Sequence, residues 1–198
     1  MADSNKRKLV VIASSTGGPK ALHKVIPDLS ERLDAPVVIV QHMPKGFTNT
    51  LAERLNSTST IPVSEVVDGL MLEKGHVYLA EGGKHLELVQ DQKGNLLFKE
   101  NEQEPVNGLR PCANITFHSL NGLSLDYIVC VVLTGMGADG YLGVKELRKN
   151  KRIYTIAQDR DSCVVYGMPK AIVENGLADV VLPLDDIGQE INRKTGVR

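Results

Sequence analysis

The sequence has little of several features that mark particular classes of protein. Its 198 residues include no tryptophan and three phenylalanines, and 23 lysines and arginines are balanced by 24 acidic residues. Without a basic excess, the chain has little electrostatic attraction for phosphate backbones, and it contains no apolar run near the roughly 18 residues of a membrane span. We therefore expect neither a nucleic-acid partner nor insertion into a membrane.

Cysteine is also scarce. Three are present, at positions 112, 130 and 163, with no Cys-x-x-Cys spacing. An odd number without metal-ligand spacing favours reduced thiols over a disulfide framework or a zinc site, and we expect no metal and no cofactor. Residues 1–8 are polar and basic with no apolar stretch, which is unlike a secretory signal peptide and favours the cytoplasm.

The sequence does have a regular alternation of short runs rich in Val and Ile with amphipathic helical patterns. Strands are predicted at 9–13, 36–42, 126–133, 153–157 and 179–182, and helices at 19–33, 47–56, 141–150, 169–175 and 184–193. Continuous apolar strands between helices indicate a parallel sheet covered on both faces. The predicted fold class is therefore α/β, a three-layer doubly wound domain with a mostly parallel sheet.

Residues 63–99 follow a different pattern. Short alternating runs at 77–79, 85–89 and 96–98 are separated by Gly-Gly and by a polar turn that contains Gly-Asn. This pattern predicts antiparallel hairpins. We expect them to be an insertion at the sheet edge within a single domain that spans residues 1–198.

The segment after the first predicted strand, residues 14–19, reads Ser-Ser-Thr-Gly-Gly-Pro. In an open α/β sheet, ligands bind at the carboxyl ends of the strands, so a hydroxyl on this turn, such as that of Ser15, could act as a nucleophile. The same residues would also suit a helix cap or a phosphate cradle, although neither common phosphate-loop pattern is present.

Two further strand ends carry reactive side chains. His42 is at the end of the second predicted strand, and Asp139 lies in the glycine-rich loop 134–140. Either could be structural, as a hydrogen-bonding histidine or a cap for the helix that begins near Tyr141. Together with Ser15, they supply the nucleophile, base and orienting carboxylate of acyl transfer, although without the Gly-x-Ser-x-Gly elbow of the α/β-hydrolases.

Five segments, in order and over nearly the whole chain, resemble the catalytic domain of the chemotaxis receptor methylesterases, the CheB family. They are residues 14–19, 41–48, 79–85, 133–140 and 157–169. The resemblance implies a serine hydrolase that removes methyl groups from glutamyl methyl esters on the cytoplasmic helices of chemoreceptors. In many members of the family, the enzyme also deamidates particular receptor glutamines.

Position by position, the resemblance implies a role for five residues. Ser15 would be the nucleophile, His42 the base and Asp139 the carboxylate behind it. Thr16 would supply an active-site hydroxyl, and the backbone of Met136 would contribute to the oxyanion hole.

The sequence departs from the family pattern in two places, neither of them in the triad. Residues 110–114 read Arg-Pro-Cys-Ala-Asn where Arg-Pro-Ser-x-Asp is expected, and residues 80–83 read Ala-Glu-Gly-Gly where Ala-Pro-Gly-Gly is usual. The receiver domain that usually precedes this domain has no counterpart in the 198 residues. The chain would then be an excised domain or a stand-alone enzyme, and we expect activity that does not respond to a phosphoryl donor.

A substrate that is part of a helix needs a surface around the reacting group. The loop after His42, which includes Phe47, and the loop 160–168, which includes Tyr166, carry apolar and basic groups suited to an acidic amphipathic helix, although ordinary loop packing would also explain them. Two rival functions stay open. One is a non-catalytic module that binds receptor helices or a signalling partner, and the other is an acyl hydrolase or amidase with a diffusible substrate.

Overall fold

The computed structural model describes residues 6–197, so residues 1–5 of the polar N-terminal stretch lie outside the described part. The strands are β1 (Lys8–Ser14), β2 (Val37–Gln41), β3 (Val63–Glu65), β4 (Val77–Leu79), β5 (His85–Gln90), β6 (Leu96–Asn101), β7 (Tyr127–Val132), β8 (Ile153–Gln158) and β9 (Val180–Leu182). The helices are α1 (Gly18–Val25), α2 (Thr48–Thr58), α3 (Ala113–Ser119), α4 (Tyr141–Asn150), α5 (Met168–Glu174) and α6 (Leu184–Thr195). Short 3-10 turns follow α1 and α3, at Ile26–Asp28 and Leu120–Gly122.

Seven strands form one parallel sheet in the order β3-β4-β2-β1-β7-β8-β9. From β1 the chain moves outward through β2 to one edge, then returns to β7 and moves to the other edge. The strand order therefore reverses between β1 and β7, and such a switch point opens a crevice at the carboxyl ends of the strands. The predicted α/β class with a parallel sheet is confirmed.

The sheet is covered on both faces, because its strands are apolar on both sides. Helices α1, α2 and α6 pack on one face, around buried residues that include Val10, Ile12, Leu22, Leu55 and Ile187. Helices α3, α4 and α5 pack on the other face together with the β5–β6 hairpin, around residues that include Val11, Val40, Phe98, Phe117 and Leu147. Within residues 6–197 no helix combines the length and the apolar composition needed to cross a membrane.

The prediction for residues 77–79 was wrong. β4 pairs in parallel with β2 and β3 and belongs to the main sheet, and only β5 and β6 form an antiparallel pair. All three residues of β4 are buried, as expected for an inner strand covered on both faces. The predicted position of the hairpin at the sheet edge was also wrong, because Leu86, Leu88 and Phe98 pack against the face of the sheet.

The first helix is shorter than predicted. Residues 19–33 were expected to form one helix, but α1 ends at Val25 and a single 3-10 turn that contains Pro27 follows it. Proline has no N–H to donate to the preceding turn, and its ring clashes with the carbonyl four residues earlier. The other predicted helices and parallel strands are present, with ends shifted by one or two residues.

Candidate active site

The three predicted site segments meet at one edge of the sheet. β1 lies between β2 and β7, so the residues after these strands are neighbours. The Ser15 N–H donates to the Thr134 carbonyl at 3.0 Å, and the His42 N–H donates to the Ser14 carbonyl at 3.0 Å. These two backbone bonds hold the ends of the three strands in register.

Ser15 is half-buried on the turn between β1 and α1. Gly17, the residue before α1, has a φ of 82°, and no side chain caps the start of the helix. A Cβ atom at Gly18 would lie 1.9 Å from Oε1 of Gln41, so only glycine fits there. The residues of this turn therefore do not act as a side-chain cap for α1, and the turn instead presents Ser15.

Gln41, the buried last residue of β2, joins the segments that carry Ser15 and His42. Its Nε2 donates to the backbone carbonyls of both residues at 3.0 Å, and its Oε1 accepts the hydroxyl of Ser14 at 2.6 Å. Sequence reasoning missed Gln41. The signal available was a polar residue inside an otherwise apolar strand, immediately before the histidine.

His42 and Asp139 are in direct contact. Nε2 of His42 lies 2.7 Å from Oδ2 of Asp139, and the two side chains are 8% and 4% exposed. Nδ1 of His42 is buried and has no hydrogen-bond partner within residues 6–197. If Nε2 carries the proton that Asp139 accepts, Nδ1 is the nitrogen left with a lone pair.

Asp139 is surrounded by hydrogen-bond donors. Oδ2 also accepts the N–H of Ala113 at 2.6 Å, and Oδ1 accepts the N–H groups of Asn114 and Gly140 at 2.9 Å each. Burial alone would raise the pKa of Asp139, but the bonds from His42, Ala113 and Asn114 outweigh it and hold this pKa below its ordinary value. The side chain is therefore ionised at neutral pH.

These contacts also show which helix the Asp139 carboxylate caps. The hypothesis that it caps the following helix was wrong. Gly140 precedes the first residue of α4, the helix has no side-chain cap, and the carboxylate instead binds the first N–H groups of α3. The partners come from a segment 25 and 26 residues earlier in the chain. No local pattern around residue 139 shows such a contact.

A cavity of about 620 Å³ opens beside these residues, at the switch point between β1 and β7. Ser15 and Thr16 line it from one side and Met136 and Asp139 from the other. Thr16 is exposed, and the Met136 side chain is 76% exposed. The cavity thus brings four of the five residues implied by the resemblance to one crevice, with His42 behind them in contact with Asp139.

Both residues that depart from the family pattern in segment 110–114 line the same cavity. Burial and the neighbouring Asp139 raise the pKa of the Cys112 thiol to about 12, and the protonated thiol donates to Oδ1 of Asp139 at 3.2 Å. The side chain of Asn114 accepts the N–H of Gly143 at 2.8 Å. Cys112 therefore supports the carboxylate and is no competing nucleophile.

Phe47 and Tyr166, from the two loops predicted to contact a substrate helix, lie outside this cavity. Phe47 is 60% exposed and lines a second cavity of about 540 Å³, between α1 and α2. Tyr166 is half-buried and forms a bridge with Gly135, the residue before Met136. Among the described residues that line the 620 Å³ cavity, neither Phe47 nor Tyr166 is found.

Comparison with known proteins gives consistent results over nearly the whole chain. Residues 10–191 match a family model described as CheB methylesterase. A protein of Geobacillus kaustophilus named protein-glutamate methylesterase/protein-glutamine glutaminase is 44% identical over 191 residues, which cover 96% of this chain and 54% of that protein. A protein of the same name from Bacillus subtilis is 44% identical over 185 residues, 93% of this chain and 52% of that protein.

The chain therefore spans about half the length of the curated relatives it matches. A solved structure matches it almost end to end. The crystal structure of the Thermotoga maritima CheB methylesterase catalytic domain is similar with a TM-score of 0.91 at 41% identity, over 96% of this chain and 99% of that one.

Proposed function

This chain belongs to the CheB methylesterase family, and we propose that it hydrolyses methyl esters of glutamate side chains in a protein substrate. The observation that carries the proposal is the meeting of Ser15, His42 and Asp139 at the carboxyl ends of neighbouring strands, with the imidazole held on the carboxylate at 2.7 Å. These three side chains are the nucleophile, base and orienting carboxylate that acyl transfer requires.

In the first step, Oγ of Ser15 attacks the ester carbonyl while Nδ1 of His42 takes the hydroxyl proton. Asp139 stabilises the resulting imidazolium through the bond to Nε2. The tetrahedral intermediate collapses, the C–O bond to the methoxy group breaks, and His42 returns the proton so that methanol leaves. Water then attacks the acyl-serine by the same route, which releases glutamate and restores the serine.

The oxyanion of the intermediate needs hydrogen-bond donors near Ser15. We assign this role to the backbone N–H of Met136, since residues 136–139 line the same cavity as Ser15. Thr16, which also lines the cavity, supplies a side-chain hydroxyl beside Ser15. A glutamine side chain would pass through the same acyl-serine with ammonia as the leaving group. The double name of the relatives favours this second activity, which we include in the proposal.

The substrates we propose are the cytoplasmic helices of methyl-accepting chemotaxis receptors, with the enzyme acting in the cytoplasm during chemotaxis adaptation. The organisation of residues 1–198 as a single catalytic domain belongs to the same proposal. Phe47 and Tyr166 would contact the substrate helix around the reacting glutamate, and their exposure and half-exposure are consistent with that role.

The test is methanol release from methylated receptor, together with labelling of Ser15 by a fluorophosphonate probe. We expect both from the wild-type protein and neither from Ser15→Ala. A folded wild-type protein that the probe does not label would support the non-catalytic module. Labelling without methanol release would support a hydrolase of diffusible substrates.

A further inference from the structure

The 540 Å³ cavity between α1 and α2 combines an apolar lining with basic groups. Met43, Phe47 and Leu51 supply apolar side chains, and Lys20, His23 and Arg54 supply the basic groups. No aspartate or glutamate is among its described lining residues. We call this cavity the α1–α2 groove.

Several basic side chains elsewhere on the molecule form ion pairs with acidic side chains. Lys8 and Lys74 pair with Asp34, Lys84 with Glu81 and Glu100, and Arg148 with Asp179. The exposed side chains of Lys20 and Arg54 form no ion pair within residues 6–197. In a protein of net charge −1, the α1–α2 groove is thus a local concentration of uncompensated positive charge beside exposed apolar surface.

Two of the residues that line the α1–α2 groove are close in sequence to proposed catalytic residues. Met43 directly follows His42, and Pro19 follows the glycine pair that shapes the Ser15 turn. The loop between His42 and α2 packs closely on Gly82. A Cβ atom at Gly82 would lie 2.4 Å from the carbonyl oxygen of Pro44, so this close packing holds the loop in place. A chain lying in the groove would therefore lead toward the reacting serine.

We propose that the α1–α2 groove binds an acidic amphipathic segment of the protein substrate next to the reacting ester. Carboxylates of that segment would lie near Lys20 and Arg54, and an apolar side chain would pack on Phe47. This inference rests on the proposed function, because a substrate of a glutamate methylesterase presents glutamates and each turnover adds another carboxylate. Opposite charges across a partly exposed surface contribute mainly to encounter and orientation, and their effect falls with salt.

The test compares two variants that change the net charge equally. Lys20→Glu/Arg54→Glu reverses the groove, whereas Lys93→Glu/Lys149→Glu reverses two exposed lysines on the hairpin and on α4, which pack on the opposite face of the sheet. Methanol release from methylated receptor is measured at low and moderate salt. Hydrolysis of a small activated ester, which does not reach the groove, reports on the catalytic centre.

For the groove variant we expect kcat/KM on receptor to fall about tenfold or more, mainly through KM, and to lose its salt dependence, with little change on the small ester. The Lys93→Glu/Lys149→Glu control should behave as wild type, and Lys20→Arg/Arg54→Lys should retain activity on receptor. Equal losses for groove and control variants, or wild-type kinetics for the groove variant, would overturn the inference.

Binding gives a second measurement that does not need catalysis. A glutamate-rich amphipathic peptide labelled with a fluorophore is titrated with Ser15→Ala, with and without the groove substitutions. We expect binding that the groove substitutions weaken about tenfold or more. A wild-type protein that hydrolyses no ester would contradict the proposed function alone, whereas unchanged peptide binding by the groove variant would contradict the groove alone.

Discussion

Asp139 accepts the imidazole of His42 at 2.7 Å on the same carboxylate oxygen that accepts the backbone N–H of Ala113 at 2.6 Å. The group that orients the proposed base is thus also the group that begins α3. Its other oxygen accepts the N–H groups of Asn114 and Gly140. Orientation of His42 and attachment of α3 to the strand ends depend on one ionised side chain.

An amide cannot replace this carboxylate. Whichever way the side chain of Asp139→Asn turns, its NH2 group meets at least one backbone N–H donor. We expect ester hydrolysis to fall strongly and the free energy of unfolding to fall by about 1–3 kcal/mol, the cost of leaving buried donors unpaired. Denaturant unfolding and methanol release on the same preparation measure both, and wild-type activity and stability would contradict the role assigned to Asp139.

The lowered pKa of Asp139 makes its contribution to stability depend on pH. Because the pKa is lower in the folded state than its ordinary value of 3.8, ionised Asp139 stabilises the fold at pH values above 3.8. That stability is lost as the pH falls from there through the folded-state pKa. The difference in unfolding free energy between wild type and Asp139→Asn should therefore be constant near neutrality and shrink below about pH 4. A difference that persists unchanged at lower pH would contradict this.

Ser15 and His42 should act as one unit. A serine hydroxyl is a weak nucleophile until a base accepts its proton, so we expect Ser15→Ala and His42→Ala each to lower ester hydrolysis by roughly 10⁴-fold or more. The double variant should lose little further. Steady-state methanol release from the three variants is the measurement, and losses that multiply would show that the two residues act separately.

Gln41 should position both residues without touching substrate. In Gln41→Glu an oxygen replaces Nε2 between the carbonyls of Ser15 and His42, and the resulting repulsion moves the two segments apart. A small displacement of reacting groups costs about 10²-fold in rate, so we expect kcat to fall by about that factor while KM changes little. Ser14→Ala, which removes only the bond to Oε1, should have a smaller effect.

The rate at which a fluorophosphonate probe labels Ser15 gives a second measurement for Gln41. Gln41→Glu should be labelled more slowly although its circular dichroism spectrum shows a folded protein. A folded variant with the wild-type labelling rate and kcat would remove Gln41 from the site.

Phe47 and Tyr166 should matter for a protein substrate only. Replacing either by alanine is expected to lower kcat/KM on intact receptor by about tenfold or more, through lost contacts with the substrate helix. Hydrolysis of a small activated ester should change far less. Equal losses on both substrates would mean that these side chains only support the fold.

Much of the site was predictable because each proposed catalytic residue lies in the segment that follows an apolar strand, either at its end or in the loop after it. Parallel strands bring their carboxyl ends to one edge, so Ser15, His42 and Asp139 could be placed together before the pairing of β1 with β2 and β7 was known. The β4 strand was not predictable in the same way. Three apolar residues can form a hairpin arm or an inner strand, and only the long-range pairing with β2 and β3 decides between them.

The partners of Asp139 and Gln41 were equally hidden. An aspartate just before a helix is typical of a cap for that helix, but two of the backbone donors that Asp139 binds come from α3, which only the packing of α3 against α4 brings close. Gln41 stands out as a polar residue in an apolar strand, but no local pattern indicates that its amide binds the carbonyls of Ser15 and His42. Contacts between segments distant in the chain are set by tertiary packing and leave little trace in local pattern.

The Asp139 carboxylate both orients His42 and holds the start of α3, and this limits how an inactive form of this protein can be made. A library selected only for thermal resistance would keep aspartate at this position even when no activity is required, because α3 depends on it. A folded but inactive trap for capturing a bound partner should therefore be built at Ser15, whose half-exposed hydroxyl carries no part of the backbone framework.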